Sequence, residues 1–197
     1  MSLVGLASRV LVRHAFRRAP PSLQGGLVRA NRCSGQAFCS APAQYRLTEC
    51  TAGTGTKLLA AEAIPAGKVV FREVGDLQDS PDMHSIQVDA DRHMCIKTDT
   101  RYLAHSFSPN CYASVDPKPP HAIEIIALRD IAPGDELSFD YSTTEWDMAA
   151  PFVDVGTGTS CQGFKHLPPE QKKALLERGV VPAHILRLWV KEFLAKA

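Results

Sequence analysis

No aspartate, glutamate or lysine occurs in the first 48 of the 197 residues, although that stretch holds seven arginines (Arg9, Arg13, Arg17, Arg18, Arg29, Arg32 and Arg46). The formal charge of +1 for the whole chain therefore hides a division, because residues 49–197 keep 15 of the 22 basic side chains and all 21 acidic ones, a net of −6. A body of that sign repels phosphate, which argues against nucleic acid as its partner. No run approaches the roughly 18 uninterrupted apolar residues that a spanning helix needs, so no membrane span is expected. None of the cysteines, at 33, 39, 50, 95, 111 and 161, belongs to a CxxC pair, and free thiols are the expectation. No helical pattern follows Gly53-Thr54-Gly55, which disfavours a dinucleotide fold.

The acid-free leader is amphipathic. Leu3, Leu6, Ala7 and Val10 share one helical face, arginines recur at four-residue spacing on another, and Pro20-Pro21 ends the pattern. It reads as an organellar transit peptide over residues 1–43, with processing expected between Arg29 and Ser40 and a mitochondrial matrix or plastid stroma destination. A disordered basic arm that binds nucleic acid is the alternative for this segment.

From residue 44 the pattern changes to short β-strands, with candidates at Lys57–Ala63, Lys68–Val74, Ser85–Val88, His93–Lys97, Ala122–Leu128 and Glu136–Phe139. Two turns rhyme, Ile64-Pro65-Ala66-Gly67 and Ile131-Ala132-Pro133-Gly134, each leading into a strand. Helices begin at Pro168-Pro169-Glu170, ending at Gly179, and again after Pro182, where Ile185, Leu186, Trp189, Val190, Phe193 and Leu194 form one stripe. The predicted fold class is mainly β with C-terminal α-helices.

Three strings carry chemistry together: Gly53-Thr54-Gly55 before a strand, then RYLAHSFSPNC at 101–111, then GDELSFDY at 134–141. Separately they are weak, since a lone His105 is more often a structural histidine and a lone Tyr141 is usually core. In this order and spacing they resemble the SET domain family of protein-lysine methyltransferases, over about Thr48 to Leu167. The resemblance implies a SET domain over 44–144 with a knot-like crossing, a post-SET tail over 145–167 and a helical extension over 168–197. It implies S-adenosylmethionine as cofactor, held by Gly53, Gly55, Tyr102, Ala104, His105 and Gln162. Tyr141 would be the catalytic tyrosine, with Phe139, Trp146 and Phe152 as walls of the substrate channel and Asn110 as part of the crossing. The implied partner is a protein substrate with an accessible lysine.

Two departures from the family bear on activity. Ala104 stands where the family has an asparagine that satisfies cofactor groups, and losing such a bond in a buried site costs about 1 to 3 kcal/mol. The post-SET zinc positions keep Cys111 and Cys161 but have Asp154 and Gly156 in place of cysteines, so no zinc is expected, structural zinc requiring four ligands. These departures favour a second reading, a SET-fold protein-binding module with weakened or lost catalysis. A β domain unrelated to methyl transfer would require the three strings to coincide by accident.

Overall fold

A computed structural model of the chain describes residues 44–50, 55–116, 118 and 121–196; the Arg-rich leader and Gly53 lie outside the described residues. The architecture is mainly β, in short strands grouped into small sheets, with two helices at the C-terminal end. Strand β1 (Tyr45–Glu49) pairs antiparallel with β2 (Thr56–Ala60), Tyr45 opposite Ala60 and Glu49 opposite Thr56. β3 (Val69–Val74) leads to the small β4 (Leu77–Gln78), β5 (Ser85–Gln87) and β6 (His93–Cys95), which form an antiparallel sheet with β6 in the middle.

After a 3-10 turn at Asp99–Tyr102 come β7 (Ala104–His105), β8 (Cys111–Asp116), β9 (Ala122–Ala127) and β10 (Ser138–Phe139). β9 is the central strand of the sheet β3-β9-β8, antiparallel on both sides. Its sequence AIEIIA meets a strand on either edge, and Ala122, Ile123, Ile125 and Ala127 are all buried, which accounts for its poor apolar-polar alternation. β8 is a full six-residue strand with no counterpart among the predicted strands, its first residue, Cys111, being also the last of the SPNC string.

The two rhyming turns meet each other. Ile64 and Ile131 form an antiparallel bridge, with Ile64 N–H donating to the Ile131 carbonyl at 3.0 Å and Ile131 N–H returning the bond at 2.9 Å. Gly67 and Gly134 follow at φ 79° and 89°, where a side chain would be strained. The turns that pattern reading treats as separate strand entries thus form one seam, sealed by buried Ile64 and Ile131.

The main core gathers Leu58, Phe71, Met94, Ile123, Ile125, Leu137 and Phe139 between the sheets. A second core centres on Phe164, Leu175, Leu176, Ile185 and Leu186, supplied by α1 (Pro169–Arg178) and α2 (Ala183–Ala195). Pro169 occupies the first turn of α1, and Gly179 caps it in the left-handed region at φ 70°. The stripe expected on α2 is only partly buried. Ile185 and Leu186 are fully covered, whereas Phe193 and Leu194 are 47% and 68% exposed, because the last turn runs beyond the surface it packs on. His184 at the start of α2 is buried and its Nε2 donates to the Thr144 carbonyl at 3.1 Å, tying the helix to the segment after Tyr141. No helix among the described residues is long and apolar enough to cross a membrane.

Candidate active site

The site begins with a crossing. β7 and β10, distant in sequence, run parallel, Ala104 beside Ser138 and His105 beside Phe139. Asn110 clamps them from the side. Its Nδ2 donates to the Glu136 carbonyl at 2.8 Å and its Oδ1 accepts from Ser138 N–H at 2.9 Å. An amide is the side chain that supplies both a donor and an acceptor to one stretch of backbone. The clamp fixes the register that brings the end of the GDELSFDY string to the HSFSPN loop.

Beyond β10 the chain turns sharply. Buried Asp140 accepts at Oδ1 from Ser142 N–H at 3.0 Å and from Ser142 Oγ at 2.6 Å, capping a 3-10 turn at Tyr141–Thr143. That turn aims the Tyr141 ring inward, where its hydroxyl donates to the Leu103 carbonyl. Phe139 lies 4.7 Å from it by ring centroids, His105 5.2 Å and Phe152 6.1 Å. Burial, with the Cys161 thiol as a lesser cause, pushes the Tyr141 phenol up to about 12, so it stays neutral across the physiological range.

Phe139, Tyr141 and Phe152 share the wall of a cavity of about 350 Å³ with Leu103, Ile86, Ile96 and Met148. Its polar lining includes Asp82, Arg101, Thr144 and Glu145. Glu145 is the buried carboxylate of this group, and burial pushes it up to about 7 despite a 2.8 Å bond from Gln87 N–H to its Oε1.

His105 sits behind the aromatic wall. Its Nδ1 accepts from Tyr141 N–H at 3.3 Å, which puts the ring proton on Nε2, and Nε2 is buried without a partner among the described residues. Burial holds this imidazole below its usual value and so favours the neutral form, against the pull of Asp140. The ring centroids of Phe107 and Phe152 lie 4.5 and 5.3 Å from its own, both in T-shaped contact.

The structure divides the sequence-predicted residues. Phe139, Tyr141 and Phe152 converge on the cavity, and Ala104, His105 and Asn110 lie at the crossing directly behind it. Tyr102 is half-buried against the main core, its hydroxyl accepting from Arg101 Nη2 at 2.8 Å. Gly55 opens β2 at φ 128°, with open space where a Cβ would stand. Gln162 is exposed and donates to Ser160 Oγ at 2.9 Å, so its side chain faces solvent in this arrangement.

Trp146 requires a correction. It is not a wall of the cavity: its ring stacks on Phe164 at 6.4 Å and packs in the second core with Trp189. The reason is local. Trp146 N–H is held by Gln87 Oε1 at 2.8 Å and the Trp146 carbonyl accepts from Lys165 N–H at 3.0 Å, which turns the side chain toward the helices.

Among the described residues no group of three or more His, Cys, Asp or Glu could hold an ion. Burial pushes both the Cys111 and Cys161 thiols up to about 12, and Asp154 and Gly156 lie on the exposed turn joining β11 (Phe152–Val153) to β12 (Ser160–Cys161). Cys161 donates instead to Met148 Sδ at 3.5 Å, fastening the β11-β12 hairpin to the cavity wall. Glu145, Gln87 and the Leu103 carbonyl were missed by sequence reading. An acid four residues after the tyrosine is the signal that could have exposed Glu145.

Comparison with known proteins bears on this geometry. The model of the SET domain family matches residues 55–142, the span from the start of β2 through Tyr141. The methyltransferase flvH of Aspergillus flavus is 28% identical over 127 residues, covering 62% of this chain and 68% of that protein.

Proposed function

We propose, for a chain that belongs to the SET-domain methyltransferases, that the methyl donor is S-adenosylmethionine and the acceptor is the side-chain amine of a lysine in a protein substrate. The observation that carries this reading is the Tyr141 hydroxyl held on the Leu103 carbonyl at the wall of an aromatic cavity. When bound, the cofactor supplies an electrophilic methyl on a sulfonium, which an amine lone pair can displace while sulfur keeps the bonding electrons.

The residues present fit that cofactor. The buried Nε2–H of His105 has no acceptor among the described residues and is the donor a polar cofactor atom would satisfy. Gly55 leaves its backbone open to close approach, and Ala104 contributes main-chain groups only. The body's net charge of −6 favours basic, lysine-bearing segments.

Tyr141 acts as a positioned dipole. Its proton is committed to Leu103, so its oxygen can accept from a substrate N–H and hold the nitrogen in one orientation. Phe139 and Phe152 wall the approach, exclude water and present ring faces suited to an alkyl-ammonium. The arginine-rich leader supports an organellar setting, in which the substrate is a matrix or stromal protein.

Incubating the full chain with lysine-containing peptides and methyl-labelled S-adenosylmethionine tests the reading. Methyl-lysine should appear after hydrolysis, and Tyr141→Phe should lower its rate by about two decades or more, in the range for loss of one oriented group. Equal activity of Tyr141→Phe, or no methyl-lysine from any peptide despite cofactor binding, would overturn it.

A further inference from the structure

A neutral Tyr141 leaves one requirement of amine methylation without a group. At physiological pH an alkyl amine carries a proton, and only its neutral form has the lone pair that can attack. Tyr141 donates to Leu103, and its phenol has no affinity for a proton beyond the one it holds.

From its place in the cavity lining, we infer that Glu145 is the group that binds the substrate ammonium and takes its proton, an inference that rests on the methyl-transfer reading above. Three features support it. Glu145 lines the same cavity as Tyr141, and its N–H lies 3.3 Å from the Tyr141 carbonyl, so the two side chains project from adjacent turns of one segment. Its two oxygens differ: Oε1 is fixed by Gln87 N–H, whereas Oε2 is 3.8 Å from His93 Nδ1, beyond hydrogen-bond reach. That Nδ1 is itself buried with no hydrogen-bond partner among the described residues, so the pair is held apart.

A buried carboxylate that makes no ion pair with a lysine or arginine among the described residues is costly, and burial accordingly raises its proton affinity to about 7. An entering ammonium supplies the missing charge. The step balances simply: an N–H bond of the ammonium breaks, its electron pair stays on nitrogen as the nucleophile, and the proton moves to Oε2. The proton later leaves to solvent. The other titratable groups near Glu145 are His93 on β6, His184 at the start of α2, and Asp82, His84 and Arg101 around the cavity. Burial holds His93 and His184 below their usual values, so neither imidazole is a competing cation at neutral pH.

The test uses the full chain labelled with ¹³C at glutamate carboxyl carbons and titrated by NMR, with n-butylammonium chloride as the probe for a lysine side chain. One carboxyl should titrate near neutrality and disappear in Glu145→Gln. Adding n-butylammonium should lower that midpoint by one pH unit or more, while n-butanol, its neutral isostere, should leave it unchanged. An unmoved midpoint, or an equal movement with the alcohol, overturns the inference. Should Glu145→Gln fail to fold, the wild-type titration with the two probes decides alone. Calorimetry with S-adenosylmethionine on the same sample separates the two readings. Cofactor binding without a Glu145 response sinks only the role of Glu145, and absence of cofactor binding sinks methyl transfer itself.

Discussion

Replacing Asn110 by alanine removes the clamp on which the site geometry depends. Two bonds are lost together, the one received from Ser138 N–H at 2.9 Å and the one given to the Glu136 carbonyl at 2.8 Å. Asn110 is 4% exposed, so Ser138 N–H is left without a partner in a covered position, at a cost of about 1 to 3 kcal/mol. Glu136 is exposed and water can reach its carbonyl, which limits that loss to about 1 kcal/mol. The sum, about 2 to 4 kcal/mol, corresponds to a fall in Tm of about 5 to 15 °C for a body of this size. Urea denaturation gives the free energy, and amide hydrogen exchange localises it: Ser138 N–H should be protected in the wild type and lose protection in the variant ahead of β9. Because β7 and β10 carry His105 and lead into Tyr141, affinity for S-adenosylmethionine should fall with it. A Tm within 1 °C of wild type, with Ser138 still protected, would refute the clamp.

Gly163→Ala should destabilise by about 3 kcal/mol or more, read by urea denaturation, since φ is 106° and a Cβ would stand 2.8 Å from the Trp146 carbonyl oxygen. Stability against pH has two opposed contributions. Glu145 is raised to about 7 from 4.5, so its share of stability is intact below pH 4.5 and is lost as pH rises to 7, about 3 kcal/mol in all. His184 is lowered to about 4 from 6.5, so its share is intact above 6.5 and is lost, by a similar amount, as pH falls to 4. Glu145→Gln should therefore be more stable than wild type by about 3 kcal/mol at pH 8 and nearly equal to it at pH 4, by urea midpoints; a difference independent of pH would contradict the burial argument. Ala104→Asn should tighten S-adenosylmethionine binding by about one to two decades in calorimetry if the side chain at this position faces the cofactor, and unchanged affinity would exclude that orientation.

Much of the site is legible in the sequence because its parts are local strings with long-range partners of fixed type. RYLAHSFSPNC and GDELSFDY pointed to the crossing, to Asn110 and to the grouping of Phe139, Tyr141 and Phe152, and strand candidates fell within a few residues of β2, β3, β5, β6, β9 and β10. What periodicity does not carry is which way a side chain turns at an irregular position. Trp146 follows the Tyr141 turn closely enough to suggest a channel wall, yet the bonds from Gln87 and Lys165 rotate it toward Phe164, and both partners are remote from the site strings. Glu145 was overlooked for the related reason that an acid in a polar run reads as solvated. Its burial depends on β5 and α2, which reach the segment only in three dimensions. β8 was hidden because its start coincides with the end of a motif.

Titration calorimetry of the full chain with S-adenosylmethionine tests the central claim most directly, with His105→Ala as the paired variant. The account predicts micromolar binding by the wild type and a loss of about one to two decades in the variant, because the Nε2–H of His105, without a partner among the described residues, would be satisfied by the ligand. No heat of binding at millimolar cofactor from the folded wild-type chain would contradict it.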